Sequence, residues 1–258
     1  MTTHVSQGSR YMNAVVSLLL WLWAIFYTIV CVTLGLIIVY PVSLIIPTRK
    51  PMHDIARAWA QGIIFMAPFW KIEIKGKQHI KPGEAYMIVS NHQSILDIIL
   101  TLATLPVHFK FMAKKELFAI PFLGWHMLLT GYIPIDRGNS DSARQALVKA
   151  GDWLKRGVSI LMFPEGTRSR DGEIHSFKPG AFKLAKNGEV KILPIVLDNT
   201  GDAIPRNSWS IQKSTCFKVH ILAPVLIRSS EITKGMTQVH DQMAQALDKM
   251  RGKHVKHS

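Results

Sequence analysis

The chain has 258 residues, enough for one sizeable α/β domain with a smaller appendage and too few for two domains of equal weight. Thirty-one Lys and Arg residues against 17 Asp and Glu residues give a formal net charge of +14, which favours an anionic partner such as a phospholipid surface, an acidic carrier protein or nucleic acid. Two cysteines, Cys31 and Cys216, are too few for a disulfide framework or a zinc cluster, so reduced, cytoplasm-facing chemistry is the simpler interpretation.

The N-terminal segment is the most apolar part of the chain. No charged residue occurs from Tyr11 to Thr48, and the run from Ala14 to Tyr40 exceeds the ~20 apolar residues that cross a bilayer. A secretory signal peptide is disfavoured because the run is too long and no small-x-small cleavage site appears. A second, amphipathic stretch from Met52 to Trp70 follows Pro47, so the pattern predicts a membrane-embedded helical pair joined near this proline.

Two arrangements of this helical pair fit the sequence. The first helix can span the bilayer, or Gly35 and the prolines can form a re-entrant hairpin. If the helix spans, the basic residues that follow it outweigh Arg10, and the positive-inside bias places the bulk of the chain in the cytoplasm. These basic residues are Arg49, Lys50 and Arg57. Both arrangements put the rest of the chain on the same face of the membrane.

From Lys71 onward, short β-type runs alternate with helical patterns. The predicted strands are residues 71–75, 85–90, 108–113, 132–135, 158–163, 191–197 and 217–222. The predicted helices are residues 94–105, 140–155 and 180–186, with a last amphipathic helix over 236–250 that packs against the sheet. This alternation predicts an α/β fold with a mixed, mostly parallel sheet flanked by helices, preceded by a membrane-associated segment over residues 1–70.

The first candidate for chemistry is the pair His92 and Asp97, which follows the predicted strand 85–90. Positions five apart differ by about 140° around a regular helix, so the side chains meet only if His92 lies in the loop and Asp97 in the first helical turn, with Ser94 as N-cap. Neutral His92 would then accept a hydroxyl proton, while Asp97 fixes its tautomer and stabilises the imidazolium. The alternative is a capping-box-like pattern, Ser94-x-x-Asp97, in which Asp97 only satisfies a backbone donor. Residue types alone leave both interpretations open.

The second candidate is the sequence FPEGTRS at residues 163–169, directly after an apolar strand. Gly166 permits close backbone approach, Thr167 offers a hydroxyl group, and Arg168 offers a planar fork of donors suited to phosphate oxygens. This set fits an anionic headgroup. An ordinary charged turn is the alternative for an isolated E-G-T-R.

Four motifs follow one another along the chain. They are NHQSILD at 91–97, AKKEL with GYIPIDR between 113 and 137, FPEGTRS at 163–169, and LPIV at 193–196. This ordered set resembles the motifs of the glycerolipid acyltransferases, and most closely the bacterial 1-acylglycerol-3-phosphate acyltransferases, over about residues 70–225. The ordered combination is specific, although no single motif is.

The resemblance implies a catalytic acyltransferase domain over residues 71–258, with His92 as general base and Asp97 as its partner. Pro194 would shape the acyl-donor side, and Lys115 is the less favoured of the two adjacent lysines. The residues implied in the acyl-acceptor site and its phosphate contacts are Glu165, Gly166, Thr167, Arg168, Arg137 and Lys114.

The implied reaction moves an acyl group from an acyl carrier protein (acyl-ACP) or coenzyme A (acyl-CoA) thioester to the sn-2 hydroxyl of lysophosphatidic acid, giving phosphatidic acid. No metal or redox cofactor is expected. The implied location is the bacterial inner membrane, with the catalytic domain facing the cytoplasm.

Three alternatives remain. Another acyltransferase of the same superfamily would use glycerol 3-phosphate or a different lysolipid as acceptor. A metal-dependent hydrolase would use His92, Asp97 and Glu165 as ligands, although the sequence has no second clustered His motif. A non-catalytic basic protein would bind membrane or nucleic acid. The apolar segment and the lack of a zinc-finger, RRM or bZIP pattern argue against nucleic acid.

Overall fold

The structure, a computed structural model, describes residues 7–136, 138–204, 211–212, 215–227 and 232–252, without the side chains of residues 7–12, 43 and 44. The helices are α1 (Gln7–Leu34), α2 (Tyr40–Ile45), α3 (Lys50–Phe65), α4 (Leu96–Thr104), α5 (Leu123–Thr130), α6 (Ser140–Lys155), α7 (Gly180–Asn187), α8 (Thr200–Ala203) and α9 (Ile232–Arg251). The strands are β1 (Lys71–Lys75), β2 (Tyr86–Ser90), β3 (Phe109–Lys114), β4 (Ile133–Ile135), β5 (Ser159–Met162), β6 (Lys191–Asp198) and β7 (Cys216–Ile221).

A long apolar helix begins the described chain. Helix α1 continues through a π-helical turn, Gly35–Val39, directly into α2. The stretch Asn13–Val42 is long and apolar enough to cross a bilayer, with a mean hydropathy of 2.5, and only 11% of its apolar window is buried. Exposed apolar side chains in such a row need an apolar environment, which makes the stretch a candidate membrane span. Helix α3 begins three residues after Pro47, so the predicted helical pair is present.

Helix α3 packs closely against α1. A Cβ atom at Gly62 would lie 2.0 Å from the Tyr27 hydroxyl oxygen, so this contact requires glycine. The indole N–H of Trp59 donates to the Thr28 hydroxyl at 3.0 Å, between the same two helices. On its other side, α3 inserts Ala56 into the core of the main domain. Helix α3 therefore joins the apolar helix to the sheet.

Seven strands form one sheet in the order β1-β7-β6-β2-β5-β3-β4. Every neighbouring pair is parallel except β6 and β7, which are antiparallel. The predicted mixed, mostly parallel sheet is therefore confirmed, and the observed strands start and end within one residue of the predicted bounds.

Helices cover both faces of the sheet. One apolar cluster joins α3 and α4 to one face and includes Leu100 and Phe217. The other joins α6, α7 and α9 to the opposite face and includes Phe182 and Met243. Strand β2 is buried along its whole length, as is typical of a central strand with both faces covered. The carboxyl ends of β2, β5 and β3 meet at one edge, where loops usually carry function.

Candidate active site

The loop after β2 starts from a rigid position. The Asn91 side chain donates to the carbonyl oxygen of Leu197 at 2.8 Å and accepts from the Leu197 N–H at 2.8 Å. These two bonds extend the hydrogen bonding between β2 and β6 by one residue beyond the end of β2. His92 therefore leaves the sheet from a fixed backbone.

The side chains of His92 and Asp97 are in contact. The Nδ1 atom of His92 lies 2.6 Å from Oδ2 of Asp97, which sits in the first turn of α4 with no exposed surface. His92 itself is 7% exposed. The loop-to-helix geometry that the sequence required for this pair is therefore present.

The local start of α4 differs from the prediction. The helix begins at Leu96 with Ile95 as N-cap, so the assignment of Ser94 as N-cap was wrong. The reason is that Oδ2 of Asp97 accepts the backbone N–H groups of Gln93 and Ser94, at 2.7 and 2.8 Å. These bonds hold residues 93 and 94 in a turn that precedes the helix.

Four donors surround the Asp97 carboxylate. Its Oδ2 atom accepts from two backbone N–H groups and faces Nδ1 of His92, while its Oδ1 atom accepts the Thr200 hydroxyl. The capping and orienting roles are thus combined in one carboxylate. Because the carboxylate is an acceptor, Nδ1 of His92 carries a hydrogen and Nε2 is left as the basic nitrogen of the neutral ring.

The motif at residues 163–169 holds the backbone and the ring of His92. Glu165 is 7% exposed, and its Oε1 accepts the His92 N–H at 3.0 Å while its Oε2 accepts the His175 N–H at 3.2 Å. Burial raises the pKa of the Glu165 carboxyl, and these two N–H donors oppose that shift. The Ser169 N–H donates to the His92 carbonyl at 2.7 Å, and the Phe163 ring stacks on the imidazole at 4.0 Å. The loop after β2 and the loop after β5 are therefore joined at His92.

Arg251, at the end of α9, is a site residue that the sequence analysis did not identify. It donates to Oδ1 of buried Asp198 and, at 3.0 Å, to the carbonyl of Gly172. The Gln93 side chain donates to the same carbonyl at 3.1 Å. Arg251 therefore fixes the loop that touches the neighbour of His92. In the sequence it resembles any other cation of a basic tail.

The implied acceptor-site residues at 165–168 differ in their exposure to solvent. Thr167 and Arg168 are exposed, whereas Glu165 is buried and its two oxygens accept backbone N–H groups. Gly166 has a left-handed φ of 75°, and a Cβ there would lie 2.9 Å from the Lys178 ammonium group. The backbone at this position therefore favours glycine.

Lys114 is a further implied phosphate ligand and lies at the end of β3. Its side chain is 59% exposed and lies 3.3 Å from Glu116. Lys115 forms an ion pair with Asp136 instead. Arg137 lies outside the described residues. Since β5 alone separates β3 from β2, Lys114 is about 10 Å across the sheet edge from the His92 strand, two strand spacings away.

Pro194, which the resemblance implies on the acyl-donor side, lies within β6 opposite Val89 of β2.

The residues of the hydrolase alternative already have hydrogen-bond partners within the protein. These are Nδ1 of His92 and both oxygens of Asp97 and of Glu165. This arrangement disfavours their use as joint metal ligands.

A second buried polar cluster lies at the amino end of the parallel strands. Lys110 is fully buried, with its ammonium nitrogen 3.0 Å from Nε2 of His108 and 4.9 Å from the centre of the Trp153 ring. Burial is the main cause that lowers the pKa of Lys110 to about 7. In the described part of the chain, Nε2 of His53 and both ring nitrogens of His126 are buried without a hydrogen-bond partner.

Comparisons with known proteins identify the family of the chain. Residues 71–198 match the family model described as "Acyltransferase". The chain is 38% identical over 201 residues to the chloroplastic 1-acyl-sn-glycerol-3-phosphate acyltransferase of Arabidopsis thaliana, covering 78% of this chain and 55% of the relative. It is 34% identical over 182 residues to the 1-acyl-sn-glycerol-3-phosphate acyltransferase of Saccharomyces cerevisiae, covering 68% of this chain and 59% of the relative. The chain thus spans little more than half the length of these two proteins.

A solved structure is similar over almost the whole chain. The crystal structure of the 1-acyl-sn-glycerophosphate acyltransferase from Thermotoga maritima superposes with a TM-score of 0.77 and 26% identity, covering 95% of this chain and 100% of that one. The resemblance seen in the motifs therefore extends to the fold and to the N-terminal helices. The chain belongs to the acyltransferase family.

Proposed function

We propose that the protein is a 1-acylglycerol-3-phosphate O-acyltransferase in which His92, oriented by Asp97, is the general base. The contact of 2.6 Å between Nδ1 of His92 and the buried Asp97 carboxylate carries this proposal, because it leaves Nε2 as the atom that can accept a proton. The names of the relatives in Arabidopsis thaliana and Saccharomyces cerevisiae support the choice of acceptor.

The proposed reaction transfers one acyl group directly from the sulfur of the thioester to the sn-2 oxygen of the acceptor. Nε2 of His92 takes the proton of the sn-2 hydroxyl as that oxygen attacks the thioester carbonyl. The tetrahedral intermediate collapses with cleavage of the C–S bond, and the imidazolium returns its proton to the departing thiolate. The Asp97 carboxylate stabilises the imidazolium between these steps. Acid–base chemistry of this kind needs no metal ion or redox cofactor.

Binding of the acceptor phosphate is assigned to Arg168 and Lys114, which are exposed at the same sheet edge, and to Arg137, which lies outside the described residues. Thr167 would be a further donor, and Gly166 would allow the backbone to approach. In this proposal Glu165 shapes the acceptor site by holding the turn to His92. Positioning the hydroxyl in this way can supply a large part of the barrier reduction.

The helical pair of α1 and α3 is proposed to attach the enzyme to its membrane, where a two-tailed product can leave directly into lipid. Arg49 and Lys50 follow the apolar stretch Asn13–Val42, which supports a catalytic domain on the cytoplasmic face. The inner membrane of a bacterium is the proposed setting.

A transfer assay with several acceptors tests the proposal. Purified protein is given a labelled acyl thioester with lysophosphatidic acid, glycerol 3-phosphate or lysophosphatidylcholine. We expect labelled phosphatidic acid as the main product. Faster transfer to glycerol 3-phosphate or to the choline lipid would instead support another member of the superfamily, and transfer to none of them would overturn the proposal.

The phosphate contact is tested by Arg168→Ala. We expect the KM for lysophosphatidic acid to rise about tenfold or more, since a charge-assisted contact is lost, while the KM for the donor stays unchanged. Arg170→Ala, which removes an exposed arginine two residues away, is the matched control and should change neither value. Equal effects of the two substitutions would contradict the role of Arg168.

A further inference from the structure

A groove lined mainly by basic side chains lies on the sheet beside the end of α9. Its walls are formed by Glu73, Lys75, Lys218, Val219, His220, Lys249 and Met250. The strand register places Lys75 directly opposite His220, and Glu73 opposite Lys218. One carboxylate therefore faces three lysines and a histidine, so the net charge of the groove is positive.

The cations of the groove affect the pKa of His220. Burial lowers the pKa of His220, and the nearby Lys75, His79 and Lys249 lower it further. The Lys218 ammonium group donates to the Met250 carbonyl at 2.6 Å at the end of α9, which holds this positive charge beside the groove. The groove would therefore stabilise a negatively charged partner.

The groove and the membrane-associated helices lie on opposite faces of the sheet. Side chains alternate along β1, so Ile72 and Ile74 pack into the cluster that contains residues of α3, whereas Lys75 lines the groove. The same alternation separates Phe217 from Lys218 on β7. This placement favours a partner that approaches from solution over the headgroups of the bilayer that receives α1.

The spacing of the cations favours a protein over a nucleotide phosphate. Lys75 in the groove and Lys71, which lies outside the groove on the same face of β1, are both exposed and stand about 13 Å apart along the strand. Lysine ammonium groups spread in this way match carboxylates distributed over a surface, whereas phosphate groups are usually bound by convergent backbone N–H groups or arginine forks.

The groove is close enough to the loop that carries His92 for a donor bound there to reach this residue. Val219 in the groove pairs with Leu197 of β6, and Leu197 is bonded to the Asn91 side chain. Two strand spacings, about 10 Å, therefore separate the groove from the start of the His92 loop. A pantetheine arm is longer than this distance.

We propose that this groove is the docking surface for an acidic acyl carrier protein that presents the thioester to His92. The inference rests on the proposed function and adds the class of donor: a small anionic protein rather than free acyl-CoA. The interaction is electrostatic, so it should act mainly through the affinity for the carrier and weaken with salt.

The test is the double variant Lys75→Glu with Lys249→Glu, assayed with acyl-ACP and with acyl-CoA of the same chain length. We expect the KM for acyl-ACP to rise about tenfold or more and the KM for acyl-CoA to change by less than about twofold. In the wild type the KM for acyl-ACP should rise with salt, and this dependence should be lost in the variant. The milder pair Lys75→Gln with Lys249→Gln should give a smaller effect of the same kind.

The matched control is Arg144→Glu with Lys149→Glu, which changes the net charge equally on the exposed side of α6. It should leave both KM values unchanged. An unchanged KM for acyl-ACP in the groove variants, or an equal loss with both donors, would overturn the inference. So would loss of binding to anionic vesicles without loss of carrier-dependent activity.

Direct binding separates this inference from the proposed function. Fluorescence anisotropy with labelled holo-ACP should show weaker binding by the groove variant than by the wild type or the α6 control. Carrier binding without transfer to any acceptor would contradict the proposed function while supporting the groove. Transfer to lysophosphatidic acid without carrier binding would do the reverse.

Discussion

Buried polar residues gather at both ends of the parallel strands, and the two ends differ in how these residues are satisfied. At the carboxyl end, Asp97 receives four donors and Glu165 receives two, while His92 is held by its backbone and its ring. At the amino end, His53 and His126 have buried nitrogens without partners in the described part of the chain, and Lys110 is buried beside His108.

The difference shows that burial of ionisable groups does not by itself identify an active site. The carboxyl end has one basic nitrogen left over in an otherwise satisfied network, which is what a positioned proton acceptor requires. The amino end has several imperfectly satisfied groups, and such groups cost stability. Substitutions at the two ends should therefore affect different quantities, activity at one and stability at the other.

The largest effect is expected from His92→Ala. Loss of the proton acceptor should lower kcat by about 10²–10⁴-fold with little change in melting temperature. His175→Ala is the matched control, because its backbone N–H, rather than its exposed ring, binds Glu165. Near wild-type acyl transfer by the His92 variant would contradict its assignment as the base.

A smaller loss is expected from Asp97→Asn, which keeps a hydrogen-bond acceptor for the turn and removes the negative charge. We expect kcat to fall by about 10²-fold, because the imidazolium loses its stabilising partner, while the melting temperature changes little. Kinetics and thermal unfolding of the same preparation measure both. A large loss of stability with retained activity would show that capping is the main role of Asp97.

A several-fold loss is expected from Arg251→Leu, which releases the Gly172 loop and leaves the Asp198 carboxylate buried. With an acyl-CoA donor, kcat should fall and the KM for lysophosphatidic acid should stay nearly constant, while the free energy of unfolding falls by about 1–3 kcal/mol. Arg251→Lys should recover part of both losses. Reduced stability with unchanged kcat would limit Arg251 to a structural role.

The smallest effect on activity is expected at the amino end, from Lys110→Met. The pKa of Lys110 is about 7 in the folded chain against 10.5 for an ordinary lysine, so the unfolded chain binds the proton more tightly. Wild-type stability should therefore rise with pH between about 7 and 10.5 through this group, and the variant should lack this contribution. At pH 7 the variant should be more stable by about 1–4 kcal/mol, because it lacks a cation whose pKa burial lowers from 10.5 to about 7.

Chemical denaturation of wild type and variant across this pH range measures the difference. Lys114→Met, an exposed lysine of the same strand, is the control for stability and should shift the free energy of unfolding by less than about 0.5 kcal/mol. A less stable Lys110 variant, or one that loses activity with unchanged stability, would contradict the comparison between the two ends.

The strands could be predicted from the sequence because they depend on local patterns. Short β-type runs predicted the bounds of β1 to β7 to within one residue. The His92–Asp97 contact was one of two interpretations that the residue types left open, and the resemblance to the acyltransferase motifs favoured it. The N-cap was misplaced because Ser94 is the usual residue type for that position, whereas the structure uses the Asp97 carboxylate to order the turn.

Contacts between distant parts of the chain could not be predicted in this way. Thr200 meets Asp97 across 103 residues, and Asn91 meets Leu197 across 106. The insertion of β7 between β1 and β6 depends on the order of strand pairing, which no local pattern specifies. Arg251 belongs to the same class, since its partners Asp198 and Gly172 lie in other segments.

The two oxygens of Glu165 have a consequence for selectivity. This carboxylate ties the turn that carries Thr167 and Arg168 to the backbone of His92. If His92 is the base and this turn holds the headgroup, as proposed, a headgroup that pulls the turn out of place also misaligns the base. Acceptors with the wrong headgroup should therefore be discriminated by slow turnover even when they saturate the enzyme. The enzyme would then discriminate between lipids during the chemical step, after the lipid has already bound.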